Sequence, residues 1–183
     1  MREVLIVAVL SLVGLLLVQT FAFQSFFIPS GSMRDTLQVG DRVIVSKLTY
    51  RFRDVERGDV IVFGGTGGAG GFGDTLGDIG GAVGVGDREE DFIKRVVGLP
   101  GETISIRRNR VFIDGVPLEE PYRASGSRMR NMTEVVVPEN HYFVMGDDRA
   151  SSADSRDYGP IHRSQIIGRA TMIVWPPGHW SGL

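Results

Sequence analysis

The chain of 183 residues contains no cysteine, and it has only two lysines beside eighteen arginines. Without thiols it can form neither a disulfide bond, nor a cysteine nucleophile, nor a cysteine-ligated metal site, although this does not locate its compartment. Because a guanidinium stays protonated in proteins, only Lys47 and Lys94 of these cations could accept a proton after burial has lowered their pKa. The formal net charge of −2 gives no indication of a nucleic-acid partner.

Charged side chains are also missing from Val4 to Phe27. As an α-helix with a rise of about 1.5 Å per residue, this run would be roughly 35 Å long and could cross about 30 Å of hydrocarbon. Pro29 would end the helix. A cleaved secretory signal is the alternative, but its apolar region of about 7–15 residues would be shorter. The predicted organisation is a short cytoplasmic tail over 1–3, a transmembrane anchor helix over 4–27 and an extracytoplasmic catalytic domain over 28–183.

Beyond residue 40, short segments rich in β-branched and aromatic residues alternate with turns that contain Gly, Pro, Asn or Asp. No amphipathic helical stretch of twelve or more residues stands out. We therefore predict a mainly β domain with antiparallel strands and short hairpin connections. The predicted strands are 43–47, 59–63, 91–97, 102–106, 110–114, 133–137, 141–145 and 166–174.

Half of residues 64–87 are glycine. Gly65, Gly67 and Gly70 match the dinucleotide-binding spacing G-x-G-x-x-G. That motif requires a helix to begin at its last glycine, and each of the glycines that follow would destabilise such a helix by up to ~1 kcal/mol. We therefore expect no cofactor and a flexible Gly-rich insertion at about 64–91.

Two serines, Ser30 and Ser32, follow the apolar run in the segment FFIPSGSMRDTL. A nucleophilic serine needs a base within hydrogen-bond reach. In the predicted strand over 91–97, Lys94 shares a face with Phe92 and Val96, and such apolar neighbours would lower its pKa. An exposed edge-strand lysine is the alternative. Other candidate bases are Lys47, His141, His162 and His179, so a Ser-His-Asp arrangement also remains open.

Five sequence blocks resemble, in order, those of the type I (leader) signal peptidases, which are membrane-bound proteases with a Ser-Lys dyad. The blocks are PSGSMRDTL (29–37), VGDRVIVSK (39–47), RGDVIVF (57–63), FIKRVVGLPGE (92–102) and MGDDRASSADSRDYGPI (145–161). The resemblance extends from the apolar run to about residue 174. The sequence departs from the family pattern at Asp35, where Pro is frequent, at Asp148, where Asn is frequent, and at Ala150, where Asp is frequent.

The resemblance implies that Ser32 is the nucleophile and that Lys94 is the general base. The oxyanion would be held by the backbone N–H of Ser32 and the hydroxyl of Ser30, and Gly31 would permit a tight bend between them. The remaining roles implied are Ser152 as the hydrogen-bond partner that orients Lys94, an ion pair of Asp147 with Arg95 on the strand face opposite Lys94, and an ion pair of Asp154 with Arg156.

The same resemblance implies the removal of signal peptides from exported preproteins after small residues at positions −1 and −3. The expected enzyme is a monomer without a metal or other cofactor, embedded in the lipid bilayer by one span with its N-terminus in the cytoplasm. Two alternatives are a related Ser-Lys processing protease with a different target and an inactive anchored β-domain that binds exported chains. Candidates for lining the substrate pocket are Met33, Val43, Ile44 and Val45.

Overall fold

The computed structural model of the chain describes residues 6–7, 10–11, 22–64 and 91–183. The Gly-rich insertion predicted for 64–91 lies outside these ranges except for its two end residues, and so does most of the predicted anchor. Residues 6–7, 10–11 and 22 are helical. Within the described part of the chain, no helix has both the length and the apolar character that a membrane span requires.

Two antiparallel sheets make up the described part of the domain. Their strands are β1 (Phe23–Phe27), β2 (Arg42–Ser46), β3 (Val60–Phe63), β4 (Phe92–Gly98), β5 (Thr103–Arg107), β6 (Arg110–Ile113), β7 (Val116–Pro117), β8 (Met132–Val136), β9 (His141–Met145), β10 (Ile161–His162), β11 (Ile166–Trp175) and β12 (Ser181–Gly182). The larger sheet has eight strands in the order β1-β2-β11-β3-β4-β9-β10, with β12 added to β11, and the smaller has four in the order β7-β6-β5-β8. This architecture confirms the predicted antiparallel, mainly β domain.

Helical structure is short in the described residues between 22 and 183. Two α-helices of one turn span Thr49–Phe52 and Ser155–Tyr158. Two 3-10 turns span Arg163–Gln165 and Pro177–His179. The second α-helix begins beside the candidate site, where Asp154 forms its N-terminal cap by accepting a hydrogen bond from the backbone N–H of Arg156.

All eight strands predicted from the sequence are present, and each of their ends agrees with the prediction to within one residue. The end of the predicted anchor helix is wrong, because residues 23–27 form strand β1 instead. Phe23 lies opposite Ser46 and Phe27 opposite Arg42 in an antiparallel pair with β2. The segment FQSFF is rich in aromatic residues, which favour strands, and pairing with β2 satisfies its backbone polar groups.

The turn that follows β1 is attached to the larger sheet by buried apolar side chains. Met33 and Leu37 belong to a cluster that also contains Val43 of β2, Val60 of β3 and Ile93 of β4. Full burial of such a side chain stabilises the fold by about 1.5–3 kcal/mol relative to its exposure. The segment that carries Ser30 and Ser32 is therefore held against β2, β3 and β4.

Strand β4 lies in the interior of the larger sheet, between β3 and β9. Its pairing with β3 covers Phe92–Arg95, whereas its pairing with β9 begins only at Arg95, opposite Met145. Both Lys94 and Arg95 are buried. The chain leaves β9 into the segment 146–154, which therefore lies next to the middle of β4.

Candidate active site

Three segments meet at one point: the turn after β1, strand β4 and the segment after β9. Lys94 Nζ lies 2.8 Å from Ser32 Oγ, which is hydrogen-bond distance. Only 3% of Lys94 and 5% of Ser32 are exposed to solvent. The structure thus brings together the two residues to which the sequence resemblance assigned the base and the nucleophile.

Burial lowers the pKa of Lys94 to about 8, because desolvation disfavours the ammonium form. The carboxylates of Asp154 and Asp147 act in the opposite direction but do not cancel this effect. An ammonium at this position donates a hydrogen bond to Ser32 Oγ. A neutral amine at the same distance can accept the hydroxyl proton, so the pair is equipped for general-base chemistry.

Ser32 is positioned by main-chain contacts as well as by its neighbours in the core. The backbone N–H of Asp148 donates to the main-chain oxygen of Ser32 at 3.0 Å. A methyl group on Gly146 would lie 2.5 Å from that same oxygen and would also overlap Ser152 Oγ. The absence of a side chain at Gly146 therefore lets the segment after β9 approach the nucleophile turn. No role was predicted for Gly146 from the sequence; its place between the strand pattern HYFVM and the residues DD was the available signal.

The two groups proposed for the oxyanion lie on the same turn. Ser30 Oγ is 3.4 Å from Ser32 Oγ, and Ser30 is exposed. Within the described residues, the Ser32 backbone N–H has no main-chain acceptor. The bend between them, which Gly31 was expected to permit, does not require glycine, since the φ of Gly31 lies outside the left-handed region and a Cβ there would meet no atom within 4 Å.

Arg95 and Asp147 form a buried ion pair beside the dyad. Arg95 donates to Asp147 through Nε at 2.9 Å and through Nη2 at 2.7 Å. Thr36 Oγ1 also donates to this carboxylate, at 2.6 Å. The guanidinium lies over the Tyr122 ring, 4.1 Å from its centroid. This network joins β4 to the nucleophile turn through Thr36, which the sequence analysis missed although it lies in the block PSGSMRDTL.

A second ion pair, between Asp154 and Arg156, fixes the segment after β9. The fully buried carboxylate of Asp154 accepts two hydrogen bonds of 2.7 Å from Arg156 and one of 3.0 Å from the backbone N–H of Gly146. The predicted hydrogen bond from Ser152 to Lys94 is not formed. Ser152 Oγ is buried without a hydrogen-bond partner among the described residues, and it lies beside the position that a Cβ on Gly146 would take.

A cavity of about 350 Å³ opens beside the dyad. The prediction that Met33, Val43 and Val45 line it is not supported, since these side chains are packed in the core cluster below. Ile44, the fourth candidate, is only half-buried and also lies outside the lining. Strand neighbours of Lys94 form the wall instead, which adjacency in the sequence could have indicated. The lining residues are Pro29, Ser30, Asp91, Phe92, Ile93 and Lys94.

None of the other candidate bases is hydrogen-bonded to Ser32 in the described structure. The rings of His141 and His162 contact each other, with centroids 5.0 Å apart, at the β9–β10 edge. His179 Nδ1 lies 3.1 Å from Asp41 Oδ1. Lys47 is exposed. The arrangement therefore favours Ser-Lys over Ser-His-Asp chemistry.

Comparison with known proteins gives a consistent set of relatives. The family model described as signal peptidase, peptidase S26, matches residues 1–175. The chain is 42% identical over 167 residues to signal peptidase I of Leptolyngbya laminosa. This alignment covers 91% of this chain and 76% of that protein. It is 34% identical over 174 residues to the probable signal peptidase I-2 of a Synechocystis strain, with coverages of 95% and 72%. The crystal structure of a signal peptidase I from Enterococcus faecalis V583 aligns with a TM-score of 0.48 and 26% identity, over 65% of this chain and 98% of that one.

Proposed function

This chain belongs to the peptidase S26 family of signal peptidases, and we propose that it removes signal peptides from exported preproteins by Ser-Lys catalysis. Family membership makes it a hydrolase of peptide bonds. The observation that carries the proposed chemistry is the distance of 2.8 Å between Lys94 Nζ and Ser32 Oγ. It is supported by the burial that lowers the pKa of Lys94 to about 8, because a base with a pKa near the working pH transfers protons efficiently.

In the proposed mechanism, neutral Lys94 takes the hydroxyl proton while Ser32 Oγ attacks the scissile carbonyl. The Ser32 backbone N–H and the Ser30 hydroxyl donate hydrogen bonds to the developing oxyanion, and losing one such donor typically costs about 10²–10³ in rate. The Lys94 ammonium then protonates the leaving amine as the acyl-enzyme forms. Neutral Lys94 next deprotonates a water that hydrolyses the ester, which returns the hydroxyl to Ser32.

The two ion pairs position these groups and take no part in bond making. Asp147 with Arg95 joins β4 to the nucleophile turn. Asp154 with Arg156 holds the backbone at Gly146, which lies against the Ser32 carbonyl. Each carboxylate is fully buried and paired, so loss of its arginine would leave an uncompensated charge next to the dyad.

The free edge of β4 supplies a place for the substrate backbone. Phe92–Lys94 has no strand neighbour on the β9 side among the described residues, so an extended segment can add to this edge through main-chain hydrogen bonds. Side chains at −1 and −3 of such a segment point to the same side. They enter the cavity beside Phe92 and Ile93, where small residues are preferred.

A membrane anchor explains why the nucleophile follows an apolar run. The uncharged stretch over 4–22 would span about 28 Å as a helix, close to the ~30 Å of bilayer hydrocarbon. In this proposal the N-terminus is cytoplasmic, and the catalytic domain lies outside as a monomer. Phe27 at the end of β1 and Trp175 at the end of β11 both lie opposite Arg42 of β2. These two side chains and that of Trp180 are exposed, and such aromatic residues favour the membrane interface. Anchoring in the plane of the substrate raises the effective concentration of both.

A processing assay tests the proposal. The full-length chain in detergent micelles is incubated with a preprotein that carries Ala at −1 and −3, and the new N-terminus is identified by mass. We expect a single cut after −1, and no cut in a matched preprotein with Trp at −1. Absence of any cut would favour an inactive binding domain, and equal cleavage of both preproteins would favour a processing protease with a different target.

A further inference from the structure

A groove lined by arginines begins at Ser152, next to the dyad, and follows β8 to the β5–β6 hairpin. Its near end lies between Arg128, Arg130 and Arg156. The middle section shares Arg130 and Arg156 with the near end and passes over residues 131–133. The next section shares residues 131–133 and reaches Arg107. The far end contains Arg107, Arg108 and Arg110. We call this continuous surface the arginine groove.

Positive charge exceeds negative charge along the arginine groove. Arg130 is paired with Asp157 at 2.8 Å, and Arg156 is paired with buried Asp154. Glu134 is the other acidic residue of the lining. Arg149, which also lines the near end, is paired with Glu120. The guanidinium groups of the other four lining arginines form no ion pair with any carboxylate of the described residues: Arg107, Arg108, Arg110 and Arg128.

The far end of the arginine groove is held rigidly by contacts that leave these charges free. Arg108 and Asn109 form a tight turn, with φ angles of 49° and 65°. Asn109 Oδ1 accepts hydrogen bonds from Arg123 at 2.7 Å and from the backbone N–H of Met129 at 2.9 Å. The backbone N–H of Arg108 donates to Asn131 Oδ1 at 3.1 Å. Because the hairpin is fixed to the floor of the groove, little backbone conformational entropy is lost there when an anionic partner binds.

The near end of the arginine groove reaches the nucleophile turn. Ser152 Oγ and the Ser32 main-chain oxygen both lie against Gly146. The apolar cavity beside Phe92 and Ile93, which takes the −1 and −3 side chains in the proposed function, shares no lining residue with this end of the groove. A chain with its signal-peptide side in that cavity therefore has the arginine groove available for the residues beyond the cut.

From this arrangement we infer that the arginine groove binds the first residues of the mature exported protein and favours acidic side chains there. The inference rests on the proposed function, since it assigns a second subsite of the same reaction. Charge complementarity along a preformed groove raises the encounter rate and selects between substrates of similar shape. Acidic early mature segments are therefore processed more efficiently than neutral ones with the same signal peptide.

The test compares two preproteins that are identical up to the cut and differ only at positions +3 to +8, with Glu in one and Gln in the other. We expect wild type to cleave the Glu preprotein with a kcat/KM about tenfold higher at low ionic strength, as several exposed charge pairs would give. The preference should shrink at 0.5 M salt because exposed charges are screened. In the double variant Arg110→Glu with Arg128→Glu the preference should vanish or reverse.

A matched control is the double variant Lys47→Glu with Arg51→Glu, which makes the same change in net charge at exposed residues outside the groove. It should keep the wild-type preference; equal loss in both double variants would overturn the inference. Equal kcat/KM of wild type for the Glu and Gln preproteins would also overturn it while leaving the proposed function intact, whereas cleavage of neither would reject the proposed function. Binding to vesicles of anionic lipid is measured in parallel. If the groove variant loses only vesicle binding and keeps the substrate preference, the groove is a membrane contact and the inference is wrong.

Discussion

Lys94 Nζ and Ser32 Oγ lie 2.8 Å apart although 62 positions separate the two residues in the chain. One side chain comes from the interior strand β4 and the other from a turn that packs on the sheet through Met33 and Leu37. The backbone N–H of Asp148 holds the Ser32 carbonyl from a third segment. The contact therefore depends on the packed core rather than on a local motif.

Substitution of either member of this pair should stop cleavage without unfolding the domain. We expect Ser32→Ala and Lys94→Met each to lower kcat by at least about 10³-fold, because one removes the nucleophile and the other removes its base. Preprotein processing measures activity, and circular dichroism measures folding. Lys47→Met is the control, since it removes the only other lysine at an exposed position and should remain active. Near-normal turnover by Lys94→Met would remove Lys94 as the base.

The rate should depend on pH through the neutral amine. Because the pKa of Lys94 is lowered to about 8, kcat/KM should rise about tenfold per pH unit below that value and level off above it. The measurement is kcat/KM from pH 5.5 to pH 10 on one preprotein. A midpoint near 6.5, the ordinary value of imidazole, would instead indicate a histidine base.

Stability should also depend on the ionisation of Lys94. Its pKa is about 8 in the folded protein and 10.5 ordinarily, so between these pH values the unfolded chain binds a proton that the folded chain lacks. Stability contributed by this group therefore rises with pH across the window from 8 to 10.5, and below 8 the buried ammonium costs its full penalty, on the order of 3 kcal/mol.

Lys94→Met removes that penalty and also a hydrogen bond worth about 1 kcal/mol. We expect this variant to have a higher free energy of unfolding than wild type at pH 7, by about 2 kcal/mol, and the difference to shrink with rising pH and to change sign toward pH 10.5, where only the loss of the hydrogen bond remains. Urea unfolding at both pH values measures it. Lys47→Met should show no such pH-dependent difference, because Lys47 is exposed. A Lys94→Met protein less stable than wild type at pH 7 would contradict the argument.

Gly146 should tolerate no side chain. In Gly146→Ala the new methyl group would lie 2.5 Å from the Ser32 main-chain oxygen, so the nucleophile turn must move. Overpacking of this kind costs about 1–3 kcal/mol, and displacement of a reacting group by about 1 Å can lower the rate 10²-fold. Gly178→Ala is the control, since nothing lies within 4 Å of its Cβ position. Similar activity and melting temperature in both variants would show that the close approach does not matter.

Proline should not be accepted at position 35, although the family often has it there. Asp35 has a φ of 74°, and its Oδ2 accepts a hydrogen bond from the backbone N–H of Ser125 at 2.9 Å. Proline holds φ near −65°, so Asp35→Pro should lower the free energy of unfolding by more than about 1 kcal/mol. Asp35→Asn keeps both the acceptor and a tolerance of the left-handed region and should behave like wild type. Thermal unfolding of both variants and wild type measures the difference in stability. An Asp35→Pro protein as stable as wild type would contradict the expectation.

Strand positions were predictable because alternation and β-branched residues are local signals. That signal failed at Phe23–Phe27, where an aromatic strand directly continues an apolar run and carries no charge to mark the boundary. It also failed for the strands of two residues, β7, β10 and β12, which are too short for any period.

Site residues divide in the same way. Ser32, Lys94, Asp147 and Arg95 stand in sequence blocks that resemble a family, so they could be named from the chain alone. Thr36 and Gly146 lie in the same blocks but were given no role, because their importance lies in contacts with segments more than a hundred residues away. The pocket candidates Met33, Val43 and Val45 are apolar residues near the nucleophile, and only packing reveals that they face the core.

By itself, the sequence determined the strand-forming segments, the small number of side chains that could act as a base for a serine nucleophile, and the excess of guanidinium over ammonium groups. These properties follow from residue type and local spacing. Tertiary structure alone decided which lysine is buried, which main-chain carbonyl packs against Gly146, and which arginines line one groove. Those outcomes are distances between remote segments, and they arise only when burial of the core brings the segments together.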